Sequence, residues 1–281
     1  MKAHPPVPRV ADAPDHWFEE GHLWLLEKVD GALLRFQLRD SGLLRFGDRE
    51  RVYDEPDAVP EPYRHAVRHV RERLDRDALR RAVADVEDVV FFAEAMHRRT
   101  IAYDWERTPS VLGIDVWSAE KGSFLPPDAV DRIFDRLGLT PVNVFERELR
   151  ARDFDPDSYS IPQSAWYDGP AEGVVVRNKR GGRAKLLHPG VQSAQQPAPV
   201  DASADELAAR YATDDRFEAV AAVLEERGRP VTVETLYERT LEFVLREAHH
   251  HVHGGRVDAR AVRSAVAERT RAFLDARADG A

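Results

Sequence analysis

The 281-residue chain has no cysteine, only five lysines against 36 arginines, and no apolar run of the length that spans a bilayer. The absence of cysteine excludes disulfides, thiol nucleophiles and cysteine-based zinc sites. Without a long apolar run we expect no transmembrane helix, and residues 1–6 lack the apolar core of a secretory signal. These absences lead us to expect a cytoplasmic protein.

The charge balance is acidic, with 50 Asp and Glu against 41 Lys and Arg and a net charge of −9. Together with the scarcity of lysine, this composition is typical of a salt-adapted, halophilic protein, although a GC-rich genome that favours arginine codons produces the same bias. An acidic net charge argues weakly against nucleic acid as a partner, but it does not exclude a locally basic groove. The arrangement of side chains at a site is therefore better evidence about nucleic-acid binding than the net charge of the chain.

The scarcity of lysine draws attention to Lys28, in the segment Leu26-Glu27-Lys28-Val29-Asp30-Gly31. A guanidinium is effectively always protonated, whereas a lysine amine can lose its proton and attack an electrophile. Lys28 follows an apolar stretch and precedes a glycine, which places it at the end of a predicted buried strand. These features indicate a nucleophile, and a solvated turn at a strand end is the alternative for this segment taken alone.

Hydrophobic patterning predicts an α+β fold. Two strands are expected over residues 20–39, and further strands at 43–46, 89–94, 111–116, 172–177 and 184–187. A charged, solvated surface helix is predicted over residues 62–83 and a second helix over 127–137, ended by Gly138. The Gly-, Gln-, Ser- and Pro-containing residues 189–202 indicate a linker.

From Ser203 onward the pattern changes to helices. Ser203 and Glu206 form a predicted capping box, and Thr232 and Asp258 are predicted N-caps of later helices. We therefore expect a mixed domain over residues 1–190, built of antiparallel sheets with flanking helices, and a small helical C-terminal domain over residues 203–281.

Three further segments carry groups suited to phosphate chemistry. Residues 91–94 form an apolar strand that delivers the carboxylate of Glu94. Glu172 precedes a valine-rich strand, and a hard carboxylate oxygen suits Mg²⁺. Arg183 and Lys185 alternate on one face of the return strand, so both cations can reach the same polyphosphate. Each segment alone also fits an ordinary strand or turn, so their order along the chain decides the interpretation.

In that order and spacing the segments resemble the motifs of the covalent nucleotidyltransferases, which are the DNA ligases, RNA ligases and mRNA capping enzymes. The resembling segments are Lys28-Val29-Asp30-Gly31 (motif I), Phe46-Gly47-Asp48-Arg49 (motif Ia), Phe91-Phe92-Ala93-Glu94 (motif III), Gly113-Ile114-Asp115-Val116-Trp117 (motif IIIa), Glu172-Gly173 with the strand to Arg177 (motif IV) and Arg183-Ala184-Lys185 (motif V). The resemblance spans residues 27–187 and is greatest to ATP-dependent RNA ligases of the phage RNA ligase 2 kind.

The resemblance implies a nucleotidyltransferase domain of the ATP-grasp-like ligase type, and it implies a mechanism. Lys28 would attack the α-phosphate of ATP to give a lysyl-AMP adduct, AMP would pass to an RNA 5′-phosphate, and a 3′-hydroxyl would displace it. Lys185, assisted by Arg183, would stabilise charge on the phosphate. Glu172 would hold Mg²⁺ or Mn²⁺.

The resemblance also implies a set of residues that bind the nucleotide: Glu27, Asp30, Gly31, Arg49, Glu94, Ile114, Glu172 and Arg177. Glu94 would contact the ribose. Arg183 departs from the lysine that the family usually carries, and Ile114 stands where an aromatic ring is frequent, so Trp117 is a second candidate for stacking on the base. Leu33 replaces a polar residue, and Arg35 is a candidate substitute for it.

Two alternatives stay open. A DNA ligase or capping-type transferase would use the same lysyl chemistry, but those enzymes usually add an OB-fold after motif V, where this chain has helices. A non-catalytic module that binds RNA ends would not need the nucleophile. The sequence leaves open ATP versus GTP, the RNA substrate and the oligomeric state. His249 and His253, four residues apart, fit either a metal site or, as we favour, a histidine-rich helix end.

Overall fold

The computed structural model describes residues 1–55, 58–192, 202–252 and 257–279. Of the predicted linker, residues 193–201 lie outside these ranges. The chain divides into two compact units, the first comprising Met1–Met96 with Thr100–Gln195 and the second His97–Arg99 with Gln196–Ala281. No helix in the described ranges is both long enough and apolar enough to cross a membrane.

The first unit contains the strands and four helices of the described ranges. In chain order they are β1 His22–Lys28, β2 Ala32–Leu38, β3 Leu44–Gly47, β4 Val52–Tyr53, α1 Arg64–Arg73, α2 Arg76–Ala82, β5 Val89–Ala95, β6 Val111–Ser118, β7 Ser123–Phe124, α3 Pro127–Arg136, β8 Val144–Arg150, β9 Gly173–Asn178, β10 Arg183–Leu187 and α4 Pro189–Gln192. Within the described residues the strands form two antiparallel sheets, with orders β10-β9-β1-β8 and β4-β3-β2-β5-β6-β7.

The short segment after Lys28 carries the chain from one sheet to the other, because β1 belongs to the four-stranded sheet and β2 to the six-stranded sheet. The crossing passes close to β5. A Cβ atom on Gly31 would lie 2.6 Å from the carbonyl oxygen of Ala95 and 2.7 Å from Cγ of Glu94. Only glycine fits this approach without a shift of backbone, which explains its place in the motif.

The six-stranded sheet packs against helices through a core of phenylalanines. Phe36 and Phe91, on neighbouring strands, stack with ring centroids 4.9 Å apart, and Phe134 of α3 meets Phe91 edge-on. Helix α1 adds Val67 and Val70 to the same core. Burial of such side chains is the main favourable term for the fold.

The single solvated helix predicted over residues 62–83 is wrong in two respects. Leu74 adopts an extended conformation, and Asp75 caps a new helix by accepting a hydrogen bond of 2.7 Å from the amide of Ala78. Helix α1 also buries one face in the core. The charged composition concealed both the cap and the narrow apolar stripe of Val67 and Val70.

Strand β8 was not predicted. Four of its seven residues are charged, and its pairing with β1 is interrupted by register shifts. Glu148 lies within it at φ 55°, a conformation that is uncommon outside glycine. The irregularity breaks the two-residue alternation by which strands are recognised in a sequence.

The described residues of the second unit from 202 onward form five helices: α5 Ala204–Tyr211, α6 Asp214–Glu226, α7 Val233–Glu247, α8 His249–Val252 and α9 Ala259–Asp279. The predicted capping box of Ser203 and Glu206 is confirmed, as is the N-cap role of Thr232. Apolar faces of α5, α6, α7 and α9 meet in a separate core that includes Phe217 and Leu236.

The described part of the histidine-rich segment forms α8, between α7 and α9. The ring of His249 contacts the ring of His97, with centroids 4.1 Å apart, and His251 is buried. His253 lies outside the described residues. Burial, followed by the nearby charges of Arg98 and Arg210, lowers the pKa of His251, which favours its neutral form.

Candidate active site

A cleft of about 230 Å³ in the first unit is bordered by both sheets and by the start of the chain. The four-stranded sheet contributes residues of β1, β9 and β10, and the six-stranded sheet contributes residues of β2, β5 and β6. The lining residues are His4, Pro5, Pro6, Val7, Leu26, Glu27, Lys28, Val29, Leu33, Arg49, Glu94, Ile114, Asp115, Val142, Val175, Arg177, Arg183 and Lys185.

Lys28 and Glu172 form an ion pair at this cleft. Lys28 ends β1 and pairs in register with Gly173, so the preceding residue, Glu172, is held beside it. Lys28 Nζ lies 2.6 Å from Glu172 Oε2, and the two side chains are 25% and 19% exposed. A Cβ on Gly173 would lie 2.2 Å from the carbonyl oxygen of Leu186, so glycine is required for the close packing of β9 against β10.

Arg183 and Lys185 both line the cleft from β10, but their surroundings differ. Arg183 is buried, its guanidinium forms an ion pair with Asp115, and it lies 4.4 Å over the ring of Phe124. Lys185 is opposite Val175 of β9 and is only partly buried. The guanidinium of Arg183 is therefore engaged with Asp115, whereas Lys185 is the more exposed of the two cations.

Asp115, which the sequence analysis placed in motif IIIa but not among the site residues, organises this side of the cleft. It is 1% exposed, and its Oδ1 accepts a hydrogen bond of 3.0 Å from Arg177 Nη2. Burial by itself would raise its pKa, but Arg177, His4 and Arg183 together hold the pKa below its usual range. Its place in the motif and a charge inside an apolar strand were the signals in the sequence.

Arg177 is tied into the protein as firmly as Arg183. Its Nη1 donates to the carbonyl oxygen of Ile114 at 3.0 Å, and its Nη2 also donates to the carbonyl oxygen of Leu125 at 3.2 Å. These bonds join β9 to β6 across the two sheets. Arg177 borders the cleft, but its donors are directed mainly at the protein.

Glu27 anchors a loop next to the cleft. Its carboxylate accepts hydrogen bonds from Ser164 Oγ at 2.6 Å, Asn143 Nδ2 at 3.1 Å and the amide of Ala165 at 3.2 Å. Burial raises the pKa of Glu27, and these three hydrogen bonds oppose the rise. The residue thus borders the cleft with its oxygens already engaged.

Asp30 does not line the cleft. Its Oδ2 accepts hydrogen bonds from the amides of Thr100, at 2.7 Å, and Ile101, at 3.0 Å, while its own amide donates to the hydroxyl of Tyr103 at 2.7 Å. These bonds fix the turn that follows Lys28. Asp30 and Gly31 therefore shape the site through the backbone.

Some of the remaining predicted residues line the cleft and others do not. Arg49, Glu94 and Ile114 line the cleft, as does Leu33. Arg35, the suggested substitute for a polar residue at position 33, does not, because its guanidinium donates to the carbonyl oxygens of Asp48, Arg51 and Lys2. Trp117, the alternative stacking residue, is likewise outside the lining, and its ring contacts Lys2 Nζ at 4.0 Å.

The carboxylates of the site suit a hard divalent ion that is also held by phosphates and waters. No group of three or more His, Cys, Asp or Glu residues in the described ranges is arranged to hold a metal by itself. Mg²⁺, however, is commonly held by one or two carboxylates together with waters and substrate phosphates. Glu172 beside Lys28, and Glu94 in the cleft, are carboxylates of that kind. The donor set therefore fits a hard ion that arrives with a polyphosphate.

Comparisons with known proteins agree with this geometry. The profile of one family, RNA ligase, matches residues 21–187, more than half of the chain. No curated protein matches the sequence.

Solved structures give a more distant likeness. A Naegleria gruberi RNA ligase with PPi is 15% identical, with a TM-score of 0.51 over 67% of this chain and 56% of that chain. A mutant of the same ligase with ATP and Mn is 12% identical, with a TM-score of 0.53 over 68% and 58%. An archaeal ATP-dependent RNA ligase is 16% identical, with a TM-score of 0.48 over 100% and 67%. The chain spans little more than half the length of the Naegleria ligase. The likeness to that ligase confirms the predicted fold.

Proposed function

Because this chain belongs to the RNA ligase family, we propose that it is an ATP-dependent RNA ligase that acts through a lysyl-AMP intermediate on Lys28. The observation that carries the proposal is the pairing of Lys28 with Glu172 at a cleft that Lys185 also lines. A nucleophilic amine, a carboxylate suited to a hard cation and a phosphate-binding cation then lie within one site. In this proposal residues 1–190 form the adenylation domain and residues 203–281 a helical C-terminal domain.

In the first step the Nζ of Lys28 forms a bond to the α-phosphorus of ATP, and the bond from that phosphorus to the bridging oxygen breaks. Pyrophosphate leaves with the electron pair, and the amine loses a proton. Only the neutral amine has the lone pair for this attack. Glu172 holds the side chain of Lys28 through their contact, and a cation bound by the carboxylate would compete for that contact.

Charge on the phosphates is neutralised by side chains of β10. Lys185 approaches the phosphates directly, and Arg183, fixed by Asp115, adds positive potential from behind. A divalent ion held by Glu172 would supply further neutralisation when bound. Catalysis in such displacements comes mainly from positioning and electrostatic stabilisation, so the burial of the Asp115–Arg183 pair contributes a rigid support.

The nucleoside is placed by the rest of the cleft. Glu94, opposite Leu33 across β5 and β2, would accept hydrogen bonds from ribose hydroxyls. Ile114, Leu26 and Val142 give an apolar surface for the base. Aliphatic contacts thus replace the aromatic ring that the family often uses at position 114.

The later steps are expected on an RNA with a 5′-phosphate and a 3′-hydroxyl. AMP passes from Lys28 to the 5′-phosphate, and the 3′-hydroxyl then displaces AMP to form the phosphodiester. Support comes from the family match, and from the Naegleria ligase structures solved with ATP and Mn and with PPi. A cytoplasmic location and salt adaptation complete the proposal and rest on composition alone.

The test is retention of label from α-labelled ATP on purified protein with Mg²⁺ or Mn²⁺, at low and at molar salt, compared with Lys28→Ala. Label on the wild type and none on the variant would support the covalent step. Absence of label from folded protein that is free of pre-bound AMP would reject it, and would favour a module that binds RNA ends.

The acceptor is tested separately, by competition between nicked RNA and nicked DNA for the labelled AMP. Transfer to RNA with little transfer to DNA is expected. Preferential transfer to DNA would replace the RNA ligase proposal by a DNA ligase with the same lysyl chemistry.

A further inference from the structure

The first residues of the chain lie across the cleft and are held at two points. At one, the amide of Lys185 donates a hydrogen bond of 2.8 Å to the carbonyl oxygen of Pro8. At the other, Arg35 Nη1 donates to the carbonyl oxygen of Lys2 at 3.1 Å. We call residues 2–8 the N-terminal strap. Because both ends are bonded to the body of the first unit, the strap is an ordered part of the site.

The middle of the strap faces the cleft. Residues 4–7 all line it, and three of them, Pro5, Pro6 and Val7, present apolar surface. Proline has little conformational freedom to lose, so such a segment is ordered at low entropic cost. The cleft, at about 230 Å³, is smaller than the roughly 300–1,000 Å³ of typical ligand sites. It therefore suits a part of ATP, with the strap as one of its walls.

His4 is the polar residue of the strap that enters the site. Its ring is 8% exposed and packs edge-on against Phe92 and Phe124, at centroid distances of 5.1 and 5.5 Å. Nδ1 lies 2.9 Å from the carbonyl oxygen of Pro5, and since a carbonyl only accepts, Nδ1 carries a hydrogen. These contacts fix the orientation of the imidazole.

The other ring nitrogen meets the buried ion pair described above. His4 Nε2 lies 3.3 Å from Asp115 Oδ2 and 3.2 Å from Arg183 Nη1. The imidazole therefore contacts both members of the Asp115–Arg183 pair. Arg183 is in turn two residues from Lys185 on the same face of β10, and the amide of Lys185 is itself bonded to Pro8 of the strap. The strap therefore contacts β10 both through the Asp115–Arg183 pair and directly at Lys185.

We propose that the N-terminal strap is a wall of the nucleotide cleft and that His4 is a positioning residue, which holds the Asp115–Arg183 pair so that Lys185 is aligned with the phosphates of ATP. This inference rests on the proposed function. The strap and His4 touch the site through apolar contact and through other residues, so His4 need not itself bind a reacting atom.

The experiment measures the maximal rate and the half-saturating ATP concentration of single-turnover lysyl-AMP formation by wild type, His4→Ala and His4→Gln. His16→Ala is the matched control, because His16 is exposed and does not line the cleft. We expect His4→Ala to lower the ratio of that rate to that concentration by about tenfold to a hundredfold, as misplacement of a positioned group does, while the protein stays folded at the assay temperature. His4→Gln should recover part of the loss, and added imidazole should partly rescue His4→Ala but not the control.

Wild-type kinetics in His4→Ala would overturn the proposal. So would faster adenylylation after deletion of residues 2–7, because the strap would then be an inhibitory plug. ATP affinity is measured in parallel by calorimetry in a Lys28→Ala background. Should wild type bind ATP without forming an adduct, the covalent function fails while the effect of His4→Ala on affinity still tests the strap. Absence of ATP binding by wild type would reject both.

Discussion

Lys28 Nζ lies 2.6 Å from Glu172 Oε2, where the end of β1 meets the start of β9. The register of these two strands sets the distance, since Lys28 is opposite the glycine that follows Glu172. The proposed nucleophile and the proposed metal ligand are therefore neighbours because of strand pairing. A cation bound by Glu172 would compete with Lys28 for the carboxylate.

Replacement of Lys28 by arginine is expected to abolish adduct formation as completely as replacement by alanine. The guanidinium keeps the positive charge and the contact with Glu172, but it does not supply a neutral amine. We expect a loss of at least about a thousandfold, measured as label transferred from α-labelled ATP.

Lys121→Arg is the matched control for this experiment, since Lys121 is exposed and remote from the cleft lining. It should retain wild-type label. Measurable adenylylation by Lys28→Arg would contradict the covalent role of Lys28.

Glu172→Gln should reduce adenylylation by about a hundredfold, because a neutral amide is a poor ligand for a hard divalent ion. The measurement is the initial rate of adduct formation across a series of Mg²⁺ and Mn²⁺ concentrations. Raising either ion should not restore the wild-type rate. Glu120→Gln, at an exposed position, serves as the control, and an undiminished rate in Glu172→Gln would rule out this carboxylate as the metal ligand.

Asp115→Asn should destabilise the first unit by about 3–5 kcal/mol, since it leaves Arg177 and Arg183 buried without their counter-charge. The measurement is urea unfolding followed by tryptophan fluorescence. Asp157→Asn, which alters an exposed carboxylate, should change the free energy of unfolding by little. An Asp115→Asn variant as stable as wild type would show that the two arginines do not depend on this charge.

The difference in unfolding free energy between wild type and Asp115→Asn should depend on pH. The pKa of Asp115 is held below that of the unfolded chain, about 3.9, so its ionised form stabilises the fold at every pH above that value. This contribution is lost as pH falls through the lower pKa of the folded state. The gap in unfolding free energy between wild type and Asp115→Asn should therefore be constant from pH 5 to 7 and shrink in more acidic buffer. A gap that shrinks between pH 7 and 5 would contradict this assignment.

Gly31→Ala should cost about 1–3 kcal/mol, because the added Cβ would overlap the carbonyl oxygen of Ala95 and Cγ of Glu94. Part of this cost should vanish when Glu94 is already alanine. A double-mutant cycle on the free energy of unfolding measures that coupling. Strict additivity would show that Gly31 accommodates the backbone of β5 alone and leaves Glu94 undisturbed.

Local signals in the sequence predicted much of the fold. The strands on either side of Asp30-Gly31 and the helix starts at Ser203 and Thr232 depend on neighbouring residues, and the structure has them. The helix break at Leu74 and the strand over residues 144–150 were missed. A charged segment that hides a cap, and a bulge that interrupts alternation, both remove the periodicity on which such predictions depend.

In the candidate site, too, local sequence features were predicted and contacts between distant residues were not. The order of Lys28, Glu94, Glu172 and Lys185 resembles the family's motifs, and lysyl transfer stays a prediction that rests on that resemblance. The motifs could be located because each is short and continuous in the chain. The ion pair of Arg183 with Asp115 could not be predicted from the sequence, because Asp115 lies on the other sheet. The hydrogen bonds of Arg35 to the carbonyl oxygens of Asp48 and Arg51 were also not predicted, because they depend on how β2 packs beside the connection between β3 and β4.

Residue types and their order along the chain identify the candidate reactive groups and most of the strands that carry them. The pairs that face one another, Lys28 with Glu172 and His4 with Asp115 and Arg183, are evident only in the folded chain. Hydrogen bonds and ion pairs require distances of about 3 Å. Those distances are set by strand register and by the packing of two sheets, which bring together residues that are far apart in the chain.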